Sequence, residues 1–209
     1  QGKVDFIYVQ GLTGMYLLKK KGQIKIPVGV NFHGLEMFQK AGDFKSKVQK
    51  ILFVFPVLFC LKRSDVVYSL GGNLSKLLIK KGILKSKIRE ISIGIDESWF
   101  ISSNQITNKS IRTFLFIGRY ERRKGIEELN MVIKNTKELG AIFNFIGNIP
   151  EEKKILMNNV NYYGLIKDTN SLKLIIQQAD VLVCPSYSEG TPTVILEAMA
   201  NGLAILATD

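Results

Sequence analysis

The sequence is poor in the residues that most often carry proton transfer and metal binding. Among 209 residues there is one histidine, His33, and two cysteines, Cys60 and Cys184. No zinc-type Cys/His spacing and no D-x-D pair occurs, so no metal is expected. The Ser-His-Asp elbow, the P-loop and the G-x-G-x-x-G string are missing as well, which sets aside serine hydrolases, P-loop NTPases and the common dinucleotide fingerprint. Both cysteines sit in apolar runs and read as buried free thiols; no disulfide framework is implied, and a reducing compartment fits. The longest apolar run, Ile51 to Leu61, is broken by Pro56 and falls short of the roughly 20 residues a bilayer span needs. It reads as a buried helical segment, with shallow contact to a membrane surface as the other reading. No leader peptide is read before the strand that begins at Val4, so the expected location is cytoplasmic. Acidic residues are scarce in the first half: residues 1–105 hold 17 Lys and Arg against 7 Asp and Glu, and residues 106–209 hold 12 against 11. Such an imbalance suits an anionic partner: nucleic acid, an anionic membrane or a phosphorylated acceptor. Fifteen of those 17 cations are lysine, however, and specific phosphate forks favour arginine, so a solvated lysine-rich surface explains them equally well. No aromatic-basic RNA motif or helix-turn-helix signature supports nucleic acid.

What is present is a regular alternation of strands and helices. Strands read at Val4–Val9, Lys25–Asn31, Asp65–Ser69 and Ile88–Ile93, with helices at Leu12–Lys21, Lys45–Arg63 and Asn73–Lys81 between them. A second series follows, with strands at Thr113–Ile117, Ala141–Ile146, Val160–Tyr163, Asp180–Cys184 and Leu203–Ala207. Its helices read at Gly125–Leu139, Glu151–Asn158, Asn170–Ala179 and Thr193–Asn201. Alternation of this kind implies α/β domains with parallel sheets. The stretch 96–108, rich in Ser and Asn without periodicity, reads as a linker between a domain at 1–95 and one at 109–209. Both domains read as incomplete, the first lacking a glycine-rich opening loop.

Pro185 to Asp209 organises the rest. Val181–Cys184 ends at Pro185, a polar loop carries Glu189 and Gly190, and Thr191-Pro192 looks like an N-cap followed by a first-turn proline. A helix through Thr193 and Val194 then runs to Gly202. A loop at the carboxyl end of a strand, facing a helix N-terminus, is where open α/β sheets bind anions such as phosphate. Glu189 in the loop and Glu197 in the second helical turn border that place, suited to accepting hydrogen bonds from sugar hydroxyls; taken singly, each would read as a solvated carboxylate. After the strand Thr113–Ile117 comes F-I-G-R-Y-E-R-R-K-G, where Gly118 permits a close turn and Arg119 and Lys124 can neutralise charge on a diphosphate. Arg122 and Arg123 read as a solvated charge run. Gly147 ends another strand, and His33, beside Gly34, follows the strand Lys25–Asn31.

The string E-G-x-P-x-x-x-L-E-A-M-A-x-G resembles the E-x7-E donor motif of family-4 (group 1) retaining glycosyltransferases, and G-R-x4-K-G resembles the second signature of that family. Ala204 stands where the family usually has a structural proline. The resemblance implies two Rossmann-like domains of the GT-B type and transfer of a sugar, with retention, from a nucleotide-diphosphate sugar to a glycan, lipid-linked or small-molecule acceptor. Surface polysaccharide or glycolipid synthesis is the expected setting, without a cofactor or metal and with peripheral membrane contact left open. It implies that Arg119, Lys124 and the amides of Gly190, Thr191, Thr193 and Val194 hold the diphosphate, and that Gly118 and Gly147 line the nucleotide pocket near Tyr163-Gly164. Glu197 would hold the ribose and Glu189 the sugar, and His33, in a segment N-F-H-G-L-E similar to the family's H-G segment, would position the donor sugar from the first domain. Three other readings stand beside it. One is an inactive homologue serving as a basic module for anionic membrane or nucleic acid. The others, a sugar-nucleotide epimerase or a phosphorylase on a similar fold, are disfavoured by the G-R-x4-K-G string.

Overall fold

A computed structural model of the chain describes residues 3–41, 43–101, 112–136 and 140–208. The chain divides into two compact units, residues 1–93 with 189–191, and residues 94–188 with 192–209. Of the expected linker, residues 102–108 lie outside the described residues. Its opening is held to the second unit: Asp96 caps a short 3-10 turn at Glu97–Trp99 by accepting from the Ser98 amide at 2.9 Å, and the Trp99 carbonyl accepts from Asn201 Nδ2 at 3.0 Å.

In the first unit, strands β1 (Ile7–Gln10), β2 (Val28–Asn31), β3 (Val66–Ser69) and β4 (Ile88–Glu90) pair in parallel in that sequential order. The connecting helices are α1 (Met15–Lys19), α2 (Phe44–Arg63) and α3 (Gly72–Lys80). The expected helix Leu12–Lys21 is split, with a 3-10 turn at Gly11–Gly14 before α1. Gly14 sits where an added Cβ would lie 2.3 Å from Val9 Cγ1, so the chain must turn tightly there. Alternation along each strand sends Val9, Val28, Val30 and Val67 to one face, where Leu18, Val57, Cys60, Leu61 and Leu78 of the helices bury them. The opposite face carries Phe6, Tyr8, Gly29, Asn31 and Tyr68, with Tyr8 and Tyr68 rings 5.5 Å apart. No core cluster of the described residues forms over it.

The second unit holds β5 (Thr113–Ile117), α4 (Ile126–Asn135), β6 (Ile142–Ile146), β7 (Val160–Tyr162), α5 (Thr169–Gln177), β8 (Val181–Cys184), α6 (Thr193–Ala200) and β9 (Ala204–Ala207). Its parallel sheet runs β7-β6-β5-β8-β9. The chain therefore moves outward from β5 to β7, crosses back to β8 and continues to β9. The reversal puts helices on both faces. Ile126, Leu129 and Ile133 of α4 pack on Phe116, Phe143 and Phe145, while Ile176 and Ala198 of α5 and α6 pack on Leu115, Ile146 and Leu182. The expected helix Glu151–Asn158 is only a 3-10 turn at Glu151–Lys153. Ile155 enters the core instead, and its amide donates to Tyr162 Oη at 2.8 Å rather than to a helical carbonyl.

Candidate active site

In the second unit the carboxyl ends of β5 and β8 are neighbours, and the chain's direction across the sheet reverses between them. That is the topological switch point, where open α/β sheets bind ligands. Both motifs emerge there, the G-R-x4-K-G loop after β5 and the Pro185 loop after β8.

Three glycines set the shape of these loops. Gly118 donates its amide to Ile146 O at 2.9 Å, and an added Cβ would touch the Phe116 ring and come 3.8 Å from Lys124 Cδ. Gly147 has φ +139°, and a Cβ on it would lie 1.9 Å from the Gly118 carbonyl oxygen. Its amide donates to Gly164 O at 2.8 Å, which brings the segment after β7 to the same edge. Gly125, the last residue of the β5 motif, is left-handed (φ +66°) and would meet the Pro185 carbonyl at 1.9 Å. This close approach locks the two motif loops together. The sequence places Gly125 at the end of the G-R-x4-K-G string and in the helix Gly125–Leu139; it is instead the left-handed N-cap of α4.

The cations divide by environment. Arg119 is exposed and pairs with Glu121 across 3.0 Å. Lys124 is half-buried at the foot of the same loop. Arg122 and Arg123, expected to be solvated, are not. Arg122 makes a two-pronged pair with Glu128 at 2.8 and 2.5 Å, lies 4.9 Å from the Tyr187 ring, and Tyr187 Oη donates to Glu128 at 2.6 Å. Burial pushes the Glu128 carboxyl up, but the hydrogen bonds from Arg122 and Tyr187 outweigh it and hold it below its usual range. Those bonds to Glu128 also push the Arg122 guanidinium up, so the pair stays ionised. Arg123 bonds Glu121 at 2.8 Å, and its carbonyl accepts the Tyr187 amide, also at 2.8 Å. These arginines fasten the β5 loop to the β8 loop. Nothing periodic in P-S-Y-S marks Tyr187 as their partner.

Helix α6 begins at Thr193, as expected, but its N-cap is Pro192 and not Thr191. Pro192 is in an extended conformation (φ −69°, ψ 114°) at the N-cap, so Thr191 does not cap and the N-cap side chain makes no hydrogen bond. Helix α5 differs: Asp168 accepts from the Ser171 amide and hydroxyl, both at 2.7 Å. With proline at the N-cap no capping side chain is present, and the helix's positive end lies at Thr193 and Val194. Glu197 stands one turn beyond Thr193. Burial raises its carboxyl pKa and a hydrogen bond from Thr193 partly offsets this.

Glu189, Gly190 and Thr191 group with the first unit, as does His33. Within it Gln39 Nε2 donates to the Glu189 carbonyl at 2.9 Å, and a Cβ on Gly190 would lie 2.1 Å from the His33 carbonyl. The His33 side chain is exposed. Among the described residues no group of three or more His, Cys, Asp or Glu is arranged to hold a metal, and no helix is long and apolar enough to cross a membrane.

Two parallel-sheet units with a ligand edge of this kind are the GT-B arrangement. The chain superposes on a sucrose-phosphate synthase from Thermosynechococcus elongatus with a TM-score of 0.74 at 18% identity, over 97% of this chain and 55% of that one. Residues 98–209 match the family described as Glycosyl transferases group 1, and the chain belongs to that family. It is 31% identical to the putative teichuronic acid biosynthesis glycosyltransferase TuaC of Bacillus subtilis, over 66% of this chain and 39% of the relative. It is 26% identical to an uncharacterized 41.2 kDa protein in the cps region of Klebsiella pneumoniae, over 96% and 56%. The chain thus spans about half the length of the curated relatives it matches.

Proposed function

We propose that the protein is a retaining glycosyltransferase of polysaccharide assembly, moving a sugar from a nucleotide-diphosphate donor to a glycan or lipid-linked acceptor. The observation that carries the reading is the meeting of the two motif loops at the β5/β8 switch point, with an exposed arginine, a lysine and an uncapped helix N-terminus around it. In this reading Arg119, Lys124 and the amides of Gly190, Thr191, Thr193 and Val194 hold the diphosphate. They stabilise the charge that collects on it as the bond to the sugar breaks. Arg119 is available for this, because an exposed ion pair such as that with Glu121 is worth only about 0–1 kcal/mol. Gly118 and Gly147 keep the floor of the pocket free of side chains. Glu197 accepts from the ribose hydroxyls, and Glu189 and His33 act on the sugar. Cations and amides do the work that a metal does elsewhere, so added chelator should leave the activity intact. Unpaired Cys60 and Cys184 support action in a reducing compartment, the cytoplasm.

The test is calorimetric titration of UDP and GDP, free and as sugar conjugates, into the wild type and Arg119→Ala. One nucleotide should bind, at least about tenfold more weakly to the variant, as expected when a charge-assisted bond is lost. Absence of binding to both nucleotides would refute the donor site and favour a non-catalytic basic module.

A further inference from the structure

The string R-Y-E-R-R sets Glu121 two residues from an arginine on either side. Glu121 is the N-cap of a short 3-10 turn, Arg122–Lys124, and is extended there (φ −133°, ψ 139°), but its side chain does not bond the turn. It bridges the two arginines instead. Its Oε1 lies 3.0 Å from Arg119 Nε and its Oε2 lies 2.8 Å from Arg123 Nε. Tyr120 and Arg122, which alternate with them, bond Glu127 and Glu128 of α4. The three members of the bridge differ in exposure: the Arg119 side chain is 72% exposed, against 31% for Glu121 and 29% for Arg123. Arg123 is the anchored end. Its carbonyl accepts the Tyr187 amide at 2.8 Å, and its Nη1 donates to the Ser188 carbonyl at 3.5 Å. Glu121 carries that anchorage outward to Arg119.

We propose that Glu121 is a positioning residue for the donor diphosphate, holding Arg119 by Nε so that its two terminal nitrogens are set to fork onto the phosphates. The proposal rests on the reading of Arg119 as a diphosphate ligand. Arginine has much rotamer freedom to lose, and a neighbour that already restrains it lowers the cost of ordering it at binding. Arg123 has a second effect. Two guanidinium groups and one carboxylate leave the bridge with a net positive charge, so an acidic residue sits beside an anion site without repelling the anion.

Glu121→Gln separates orientation from charge, because the two predict opposite results. Removing a negative charge beside the site, taken alone, tightens anion binding; removing the pair that orients Arg119 weakens it. The experiment is titration to saturation of UDP and GDP into the wild type, Glu121→Gln, Arg119→Ala and the double variant. For the nucleotide that binds, Glu121→Gln should weaken affinity about two- to fivefold, the range an exposed ion pair allows. In the Arg119→Ala background the same change should weaken it no further, since there is no guanidinium left to orient. Wild-type binding that Glu121→Gln leaves equal or makes tighter would overturn the proposal and leave the donor site standing. An equal loss in both backgrounds would also overturn it, assigning Glu121 to the shape of the loop. Absence of binding in the wild type would take the donor site and this proposal together.

Discussion

The two units use the same parts and differ in the order of their strands. In the first, four parallel strands follow one another in sequence, so every connecting helix falls on one side and the aromatic face of Phe6, Tyr8 and Tyr68 has no helix over it among the described residues. In the second, the chain reverses between β7 and β8, both faces are covered, and the reversal leaves adjacent strand ends whose loops part. Strand order alone therefore explains why the second unit, and not the first, has a switch point of the kind at which open α/β sheets bind ligands. The first half of the chain instead carries nearly all of the net positive charge.

The comparison can be broken most sharply at the glycines. Gly125 (φ +66°) and Gly147 (φ +139°) have positive φ, and a Cβ added to either would lie 1.9 Å from a backbone carbonyl oxygen, a clash that no side-chain rotation relieves. Gly125→Ala or Gly147→Ala should destabilise the second unit by about 3 kcal/mol or more, combining a left-handed alanine with a backbone clash. Gly72 in the first unit has φ +56° with nothing within 4 Å, so Gly72→Ala should lose only about 1–2 kcal/mol. Denaturant unfolding of the three variants measures this. Equal losses would mean that the loops at the switch point are no tighter than an ordinary turn.

A smaller effect is expected from the arginine network. Arg122→Met removes a charge-assisted pair from Glu128 and leaves that half-buried carboxylate with Tyr187 alone, so a loss of about 1–3 kcal/mol follows. Tyr187→Phe should cost about 1 kcal/mol, and the double variant less than the two together, because the groups share one network. Strict additivity in this cycle would show that the two loops are not fastened through these side chains.

The strands of both units were legible because apolar runs bounded by Gly and Pro leave few alternatives, and the motif glycines and acids were legible as strings. What escaped was decided by tertiary contact. The helix expected at 151–158 gives way because Ile155 is worth more in the core than in a helical turn, and Tyr162 Oη takes its amide. Arg122 looked like one more solvated cation because its partners, Glu128 and Tyr187, lie 6 and 65 residues away. The apolar run Ile51 to Leu61 read as one buried segment, yet Ile51, Leu52 and Phe55 of α2 are exposed while Val57, Cys60 and Leu61 are buried, since hydrophobicity alone does not say which side meets the sheet.

In the first unit Asp65 ties the start of β2 to Lys21, accepting from the Val28 amide at 2.7 Å and Lys21 Nζ at 2.8 Å. Burial raises its pKa, but the hydrogen bonds from Lys21 and Val28 and the charges of Lys21 and Lys87 outweigh that and lower it overall. A lowered carboxyl stabilises the fold above its unfolded value of about 4, and that contribution is lost as pH falls through the folded value. Asp65 is 42% exposed, so the contribution is discounted to about 1 kcal/mol at most. Asp65→Asn should lower stability by that amount at neutral pH and by less in acid, read from denaturation midpoints at both.

Glu197 in the second unit has the opposite sign. Burial raises its carboxyl, so the folded state favours the protonated form and pays for ionisation as pH rises through the raised value. Glu197→Gln should therefore leave stability at neutral pH unchanged or raise it by a few tenths of a kcal/mol, whereas Asp65→Asn lowers it. If Glu197 receives the ribose hydroxyls, nucleotide affinity in the wild type should fall as pH drops and the carboxylate is neutralised, and the variant should bind weakly at every pH. A carboxyl buried against its own ionisation beside a switch-point loop is a position at which a ligand contact is worth testing. An affinity indifferent to both pH and Glu197→Gln would make the burial incidental and move the ribose contact elsewhere on the β8 loop.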